Sequence, residues 1–352
     1  MIISRTPFRI SFFGGGTDYP LWFERHKGAV LGTTIDKYCY ITCRYLPPFF
    51  EHKSRIIYSQ MEHVKSIKEI DHPAVREVLK FLKIHEGVEI HHDGDLPARA
   101  GLGSSSAFTV GLLNSLYALK GRMIGKDQLA EEAILVEQKK CKENVGCQDQ
   151  ILSAHGGLNY IEFGGEDHLK VQMVTLTAER LEELQDHLMM FFTGFHRPSK
   201  KTDAPAGRFS GDHKELRRTP SSEIIAHQLK LMEGKTRQYQ RMYQMVDEGL
   251  AVLNNGKLAD FGRLLHEAWM IKKELSEHIT TTQIDGVYNA AREAGVIGGK
   301  IAGAGGGGFL LLFAKPAQQK RVRQKLRKLL EIPFRFENQG SQIIFYQPSR
   351  YF

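Results

Sequence analysis

The sequence is poor in the features that mark several large classes of protein. Its 352 residues include only four cysteines, too few for the disulfide framework of a small secreted protein. It also lacks an apolar run of about 18 residues, so no membrane-spanning helix is expected. The first residues, MIISRTPFRISFF, have no small-residue cleavage site of the kind found in signal peptides, and they predict a β-strand. These absences favour a cytoplasmic protein without a membrane partner.

Motifs for nucleic-acid binding are lacking too, although the formal net charge is +8. The basic segment KRVRQKLRKLL predicts an amphipathic helix with an apolar side made of Val322, Leu326, Leu329 and Leu330. Its charges then form a solvated face. With no zinc-finger spacing and no aromatic RNA-binding signature, no nucleic-acid partner is expected. A basic surface also suits a phosphorylated small molecule.

The pattern of elements predicts a mixed α+β protein with two domains. Residues 1 to about 60 are rich in β-branched and aromatic residues and predict strands, with Cys39 and Cys43 as buried thiols. Helices are predicted at HPAVREVLKFLKIH, SSSAFTVGLLNSLYALKG and KDQLAEEAILVEQKKC, at about 224–277, and at 282–294. A long polar loop is predicted at 197–222. We expect one domain at 1–185 and a second at 186–352.

Three segments concentrate glycine where a strand meets a loop or a helix. In PARAGLGSSSAF (Pro97 to Phe108), glycines and serines precede a helix, whose first N–H groups and dipole suit an anion. This is not a Walker A loop, and by itself the segment is equally consistent with a capped turn. The other two segments are PFRISFFGGGTDYP and KIAGAGGGGFLLLF. Five glycines in the last indicate close packing against another backbone or a ligand.

These three segments, in this order, resemble the motifs of the GHMP small-molecule kinases over nearly the whole chain. The resemblance implies a two-domain α+β fold. Its N-terminal α/β domain would bind ATP and have the topology of a ribosomal protein domain, and its C-terminal domain would be ferredoxin-like. It also implies ATP-dependent phosphorylation of a small molecule, with Mg²⁺ as cofactor.

The resemblance assigns roles to individual residues. Asp149, in the segment GCQDQ, would accept or orient the proton of the substrate hydroxyl, and Arg9 would stabilise developing charge. Glu137 and Ser105 would hold Mg²⁺, for which hard oxygen ligands are suited. The residues expected to bind ATP are Pro97, Arg99, Ala100, Gly101, Leu102, Gly103, Ser104, Ser105 and Ser106. Those expected to bind substrate are Gly15, Gly16, Thr17, Asp18, Arg197, Gly305, Gly306 and Lys272.

The substrate is the least determined part of the resemblance. Gly15-Gly16 stand where galactokinase has Glu-His, which argues against galactose. Segments such as FFGGGTDYP, GCQDQ and TGFHR resemble the branch that phosphorylates the anomeric hydroxyl of D-glycero-D-manno-heptose 7-phosphate, for surface polysaccharide. Arg197, Lys272, Lys273 and Lys300 are candidates to contact a phosphate. A fucokinase-like or other hexose kinase, or a non-catalytic sugar and ATP sensor, stays open, as does a homodimer.

Overall fold

The computed structural model describes residues 1–98, 101–165, 169–193 and 220–348. Arg99, Ala100, Arg197 and most of the predicted loop 197–222 lie outside these ranges. The strands are β1 (Ile2–Phe13), β2 (Gly28–Tyr45), β3 (Ser54–Ile57), β4 (Met61–Val64), β5 (Val88–Gly94), β6 (Asn159–Phe163), β7 (Leu169–Met173), β8 (Leu188–Phe192), β9 (Gly298–Ile301), β10 (Phe309–Phe313), β11 (Leu330–Glu331), β12 (Phe336–Glu337) and β13 (Gln342–Tyr346).

The helices alternate with these strands in both halves, as the mixed pattern predicts. They are α1 (Pro20–Phe23), α2 (Pro73–Phe81), α3 (Ser104–Leu119), α4 (Lys126–Ile134), α5 (Gln148–His155), α6 (Ala178–Asp186), α7 (Pro220–Leu231), α8 (Thr236–Asn255), α9 (Leu258–Glu274), α10 (Thr282–Glu293) and α11 (Pro316–Lys325). A π-helical turn, Leu135–Lys140, continues α4, and 3₁₀ turns occupy Ile67–Glu69 and Met232–Lys235. The α+β fold class is confirmed.

Two sheets organise the described part of the chain. The first has the order β13-β1-β2-β5-β3-β4, with β12 and β6 also pairing with β2, and β7 with β6. The second has the order β11-β8-β10-β9. Because β12 and β13 belong to the first sheet, the C-terminal residues return to the N-terminal half. This differs from the predicted division at 186–352, which places them in the second domain.

The central helix α3 is buried on nearly every side, from Ser106 to Leu119. Its all-round apolar sequence suits a helix that lies between a sheet and other helices. It packs on β1 and β2 and contacts α2, α4 and α5. Gly103, which precedes its first turn, lies beside Arg9 of β1 and Asp149 of α5.

An aromatic cluster joins the two halves. Phe261 of α9 lies edge-on to Phe13 and Phe12 of β1, at ring-centroid distances of 5.0 and 5.4 Å, and 6.0 Å from Phe313 of β10. Such edge-to-face pairs stabilise a core beyond the burial of their area. The first and second sheets are thereby held in contact beside the first glycine-rich segment.

Three smaller expectations can be compared directly with the structure. Cys39 and Cys43 are buried thiols, as predicted. In the C-terminal amphipathic helix, Val322 and Leu326 are buried, which confirms the apolar side there. The prediction was wrong for Leu330, which is 64% exposed and lies in β11. The reason is that α11 ends at Lys325, before the predicted apolar face is complete.

Candidate active site

The loop before α3 has the backbone that the glycine-serine segment predicts. Gly101 and Gly103 have φ of +90° and +76°, which a residue with a side chain rarely adopts. Gly103 is the N-cap of α3, so the amide groups of the first turn follow directly after it. The backbone N–H of Arg9 donates to the carbonyl of Leu102 at 3.1 Å. The loop is thus tied to β1.

Arg9 and Asp149 form a bidentate ion pair at this loop. Arg9 Nε and Nη2 donate to the two carboxylate oxygens of Asp149, each at 2.7 Å. Arg9 Nη1 also donates to the carbonyl of Gly101 at 2.8 Å. The arginine side chain is 5% exposed and the aspartate side chain 24%, so the carboxylate keeps an open side. A Cβ on Gly103 would lie 3.3 Å from Asp149 Oδ2, so glycine leaves this carboxylate accessible.

Glu137 lies on the π-helical turn and is almost fully buried. It accepts hydrogen bonds from Ser106 Oγ at 2.8 Å, from Thr109 Oγ1 at 2.9 Å, and from Gln150 Nε2. Burial, with a contribution from the charge of Glu143, raises the pKa of Glu137 to about 7. A buried carboxylate that ionises near neutrality is a suitable ligand for a cation.

The serine that contacts Glu137 is Ser106 rather than Ser105. Ser105 is exposed at the start of α3. Among the described residues no hydrogen bond joins its side chain to Glu137, whose three side-chain donors are Ser106, Thr109 and Gln150. Ser105 stays a predicted metal ligand. Ser106, which was expected to contact phosphate, is 3% exposed and donates to Glu137.

The first glycine-rich segment encloses Asp18, which is 1% exposed. The N–H groups of Gly16 and Gln148 donate to its carboxylate at 2.8 and 3.2 Å. Burial raises the pKa of Asp18, and the charge of Asp149 adds to the increase. A Cβ on Gly146 would lie 2.0 Å from Asp18 Oδ2, which accounts for the glycine that opens GCQDQ.

The other predicted substrate residues of this segment differ in how accessible they are. Thr17 is fully buried, and its hydroxyl contacts the carbonyls of Gly14 and Ala29 at 2.8 and 2.9 Å. It therefore supports the turn in this structure. Gly15 and Gly16 are half-buried; a Cβ on Gly15 would lie 3.3 Å from Ser11 Oγ.

The third glycine-rich segment packs against the second, as its composition predicts. A Cβ on Gly101 would lie 2.4 Å from the carbonyl oxygen of Ala302, and one on Gly303 would lie 2.5 Å from Gly101 Cα. The N–H of Gly306 donates to the carbonyl of Ile279 at 2.7 Å, and a Cβ on Gly305 would lie 2.7 Å from the same oxygen. These contacts require glycine because backbone meets backbone.

Two of the three predicted lysines lie beside these loops. Lys272 is 8% exposed and donates to the carbonyl of Gly303. Lys300 Nζ donates to the carbonyls of Ser11 and Phe12 at 2.9 and 3.0 Å, and burial holds its pKa well below the usual range. Lys273 instead pairs with Asp285 at 3.2 Å.

Several residues near these side chains were not singled out by the sequence analysis. Thr109 and Gln150 hold Glu137, and two buried polar atoms, Ser11 Oγ and Gln148 Oε1, have no hydrogen-bond partner among the described residues. Thr109 follows Ser106 by three residues, the spacing that places two side chains on one face of a helix. Pro97, by contrast, is exposed after β5.

Two models of known domain families match this chain. The model of the GHMP kinases N terminal domain matches residues 67–157, and that of the GHMP kinases C terminal matches residues 250–332. The chain belongs to the GHMP kinases. As a GHMP kinase it is an enzyme, and the two matches follow the order of the predicted domains.

Individual relatives share the whole length of this GHMP kinase. A D-glycero-alpha-D-manno-heptose 7-phosphate kinase of Campylobacter jejuni is 26% identical over 93% of each chain. A bifunctional fucokinase/GDP-fucose pyrophosphorylase of Arabidopsis thaliana is 23% identical over 94% of this chain and 32% of its own length. The crystal structure of a D-glycero-D-manno-heptose 1-phosphate kinase of Bacteroides thetaiotaomicron superposes with a TM-score of 0.75, at 20% identity over 97% of this chain and 98% of that one.

Among the described residues of this kinase, no helix combines the length and the apolar character that crossing a bilayer requires.

Proposed function

We propose that this kinase transfers the γ-phosphoryl group of ATP to the anomeric hydroxyl of D-glycero-D-manno-heptose 7-phosphate, with Mg²⁺ as cofactor. The product would be the 1,7-bisphosphate, an intermediate for nucleotide-activated heptose and surface polysaccharide. The observation that carries the proposal is the bidentate Arg9–Asp149 pair at the end of the glycine loop. The similarity to a heptose 7-phosphate kinase over 93% of the chain supports this choice of substrate.

The residues of the loop before α3 suit the phosphates of a nucleoside triphosphate. The loop 101–103 approaches α3 without side chains at its two left-handed glycines, and the first-turn amides favour negative charge. Glu137 and Ser105 would hold Mg²⁺. The ion would neutralise phosphate charge during transfer. Glu137 would supply carboxylate oxygens to the ion, and Ser105 would supply its hydroxyl oxygen.

Asp149 then orients the acceptor hydroxyl and takes its proton, while Arg9 holds the carboxylate in one orientation. Both carboxylate oxygens accept from Arg9, which fixes the orientation of the group. The same guanidinium neutralises charge that develops as the oxygen attacks. Since Arg9 also holds the carbonyl of Gly101, the base and the phosphate loop keep a constant distance.

The test of catalysis is Asp149→Asn, which keeps the shape of the side chain and removes its charge. We expect kcat to fall by about 10²- to 10⁴-fold, the usual contribution of a general base, with nucleotide affinity within about threefold of wild type. ATP consumption would be followed alongside equilibrium binding of an ATP analogue. Turnover near the wild-type rate would contradict the assignment and would favour the sugar-sensor alternative.

The test of substrate compares heptose 7-phosphate with free L-fucose, free galactose and unphosphorylated heptose, using the same enzyme and the same ATP concentration. The expected result is a kcat/KM at least about 10²-fold higher for the phosphorylated sugar, since a charged group that meets its partner is worth a few kcal/mol. Product analysis must show a phosphate at the anomeric position. Phosphorylation of free fucose alone would favour the hexose-kinase alternative, which the similarity to the fucokinase portion of a plant enzyme supports.

A further inference from the structure

A cluster of two histidines and a glutamate lies outside the residues assigned so far. His227 is on α7, and Glu277 and His278 lie in the connection between α9 and α10. One potential ligand atom from each lies within 4.8 Å of the others. The two imidazole rings are 4.8 Å apart between centroids, and His278 Nε2 lies 3.8 Å from Glu277 Oε1. Segments about 50 positions apart in the sequence thus bring three metal-ligating side chains together.

The hydroxyl of Ser276 contacts the imidazole of His227 and the backbone of His278. Ser276 is 3% exposed, and its Oγ lies 2.8 Å from His227 Nδ1. The backbone N–H of His278 donates to the same oxygen at 3.3 Å. Because Nδ1 of His227 is engaged, its Nε2 is the ring nitrogen that remains for a ligand. Hydrogen bonds from a buried group to the outer nitrogen of an imidazole are a regular feature of metal sites.

We propose that His227, Glu277 and His278 form a binding site for a divalent transition-metal ion, with Zn²⁺ as the best match. Two imidazoles and one carboxylate are a usual zinc ligand set, completed by water in the fourth position. In a tetrahedral site with bonds of about 2.1 Å, ligand atoms lie about 3.4 Å apart. Glu277 and His278 side chains are 80% and 54% exposed, so they have the freedom to close by the remaining distance.

This metal site would act on the third glycine-rich segment. The carbonyl of Ile279, one residue after His278, accepts from the N–H of Gly306 at 2.7 Å. On the other side, Gln228 Nε2, next to His227, donates to the carbonyl of Ala304 at 3.3 Å. An ion shared between His227 and His278 would therefore clamp the loop 304–306 from both sides. Zinc would stabilise the fold and alter how the loop serves the kinase site.

The experiment uses the full chain, freed of any affinity tag and of bound metal, and titrates it with Zn²⁺ in the absence of nucleotide. We expect a tight site that is lost in His278→Ala and in His227→Ala, with affinity lower by at least about tenfold in Ser276→Ala. Co²⁺ in place of Zn²⁺ should give the visible absorption of a tetrahedral site. Zinc should raise the Tm of the wild type and leave that of His278→Ala unchanged.

His85→Ala is the matched control, since this histidine is exposed and remote in sequence from the cluster. Equal zinc affinity in the wild type and in His278→Ala, at preserved circular dichroism, would overturn the proposal. The KM for ATP, measured at saturating Mg²⁺ with and without Zn²⁺, should change in the wild type and stay constant in His278→Ala. Because binding is measured without substrate, its failure would leave the proposed kinase activity untouched.

Discussion

At the scale of single residues, Glu137 makes the stability of the protein depend on pH. Its pKa is raised from 4.5 to about 7, so between these values the folded state binds a proton that the unfolded chain has lost. The contribution of Glu137 to the unfolding free energy therefore falls as pH rises through this window, by about 3 kcal/mol. This contribution stays constant above the window. We expect Glu137→Gln to remove this decline, measured as Tm against pH without Mg²⁺ or nucleotide.

The control for this prediction is Glu131→Gln, which changes an exposed carboxylate of α4, six residues before Glu137. Its profile should follow that of the wild type. A wild-type profile that already matches Glu137→Gln between pH 4.5 and 7 would show that Glu137 is ionised in the folded protein. With Mg²⁺ and ATP present, the decline should shrink, because a cation favours the ionised carboxylate.

The sequence predicts only in part which side chains of the site contact one another. Arg9 and Asp149, which the resemblance assigns to the same reacting hydroxyl, form an ion pair, and Gly103 packs against both of them: a Cβ there would lie 3.2 Å from Arg9 Cγ and 3.3 Å from Asp149 Oδ2. Which serine faces Glu137 depends on where α3 begins and on its rotation about its axis. A shift of one residue in that helix turns the side chain by about 100°, and the string SSS carries no signal to choose among its members.

At the scale of elements, the second and third glycine-rich segments form one unit. Gly101→Ala would place a Cβ 2.4 Å from the carbonyl oxygen of Ala302, at a φ of +90°. We expect kcat/KM for ATP to fall by at least about tenfold, since a displacement near 1 Å in a phosphate loop can cost up to about 10²-fold. The free energy of unfolding, measured by thermal denaturation, should also fall. The loss should exceed the roughly 1–2 kcal/mol that an alanine in the left-handed conformation costs by itself.

Gly121→Ala separates the two causes of the expected loss, which are backbone strain at a positive φ and the collision of the new Cβ with a neighbouring loop. Gly121 follows α3 with a φ of +70°, and a Cβ there meets nothing within 4 Å. It therefore carries the backbone strain without the collision and should leave ATP kinetics unchanged. Equal effects of the two substitutions on kcat/KM would mean that the contact between loops is unimportant.

The π-helical turn is an element that the sequence did not reveal. KDQLAEEAILVEQKKC has the periodicity of one continuous helix, whereas α4 ends at Ile134 and Leu135–Lys140 widen into a π-helix. Such turns commonly occur at functional sites. Here the widening lies where Glu137 turns inward to Ser106, Thr109 and Gln150. A bulge of this kind depends on tertiary contacts, which no local pattern of apolar residues encodes.

At the scale of the whole molecule, the two halves are linked by residues far apart in sequence. Lys300 of β9 donates to two carbonyls of β1, and β13 pairs with β1 over residues 2–5. Composition predicted β1 as a strand, but not its partners, because pairing between distant segments leaves no trace in local periodicity. The glycine-rich segments carry a clearer signal of contact, since Gly101 and Gly303 pack backbone against backbone.

The C-terminal residues should therefore stabilise the N-terminal half, including the helix that carries Asp149. Gly157 N–H donates to the carbonyl of Glu337, and Ser341 N–H donates to that of Ser153 at the end of α5, both at 2.9 Å. Ending the chain after Ile332 removes these bonds together with β12 and β13. Since 1 kcal/mol shifts Tm by about 2–4 °C in a domain of this size, we expect a fall of at least about 10 °C, or no folded protein.

Ending the chain after Pro348 keeps both strands and should leave Tm within about 2 °C of wild type. Equal Tm values for the two shortened chains would show that the first sheet does not need its C-terminal strands.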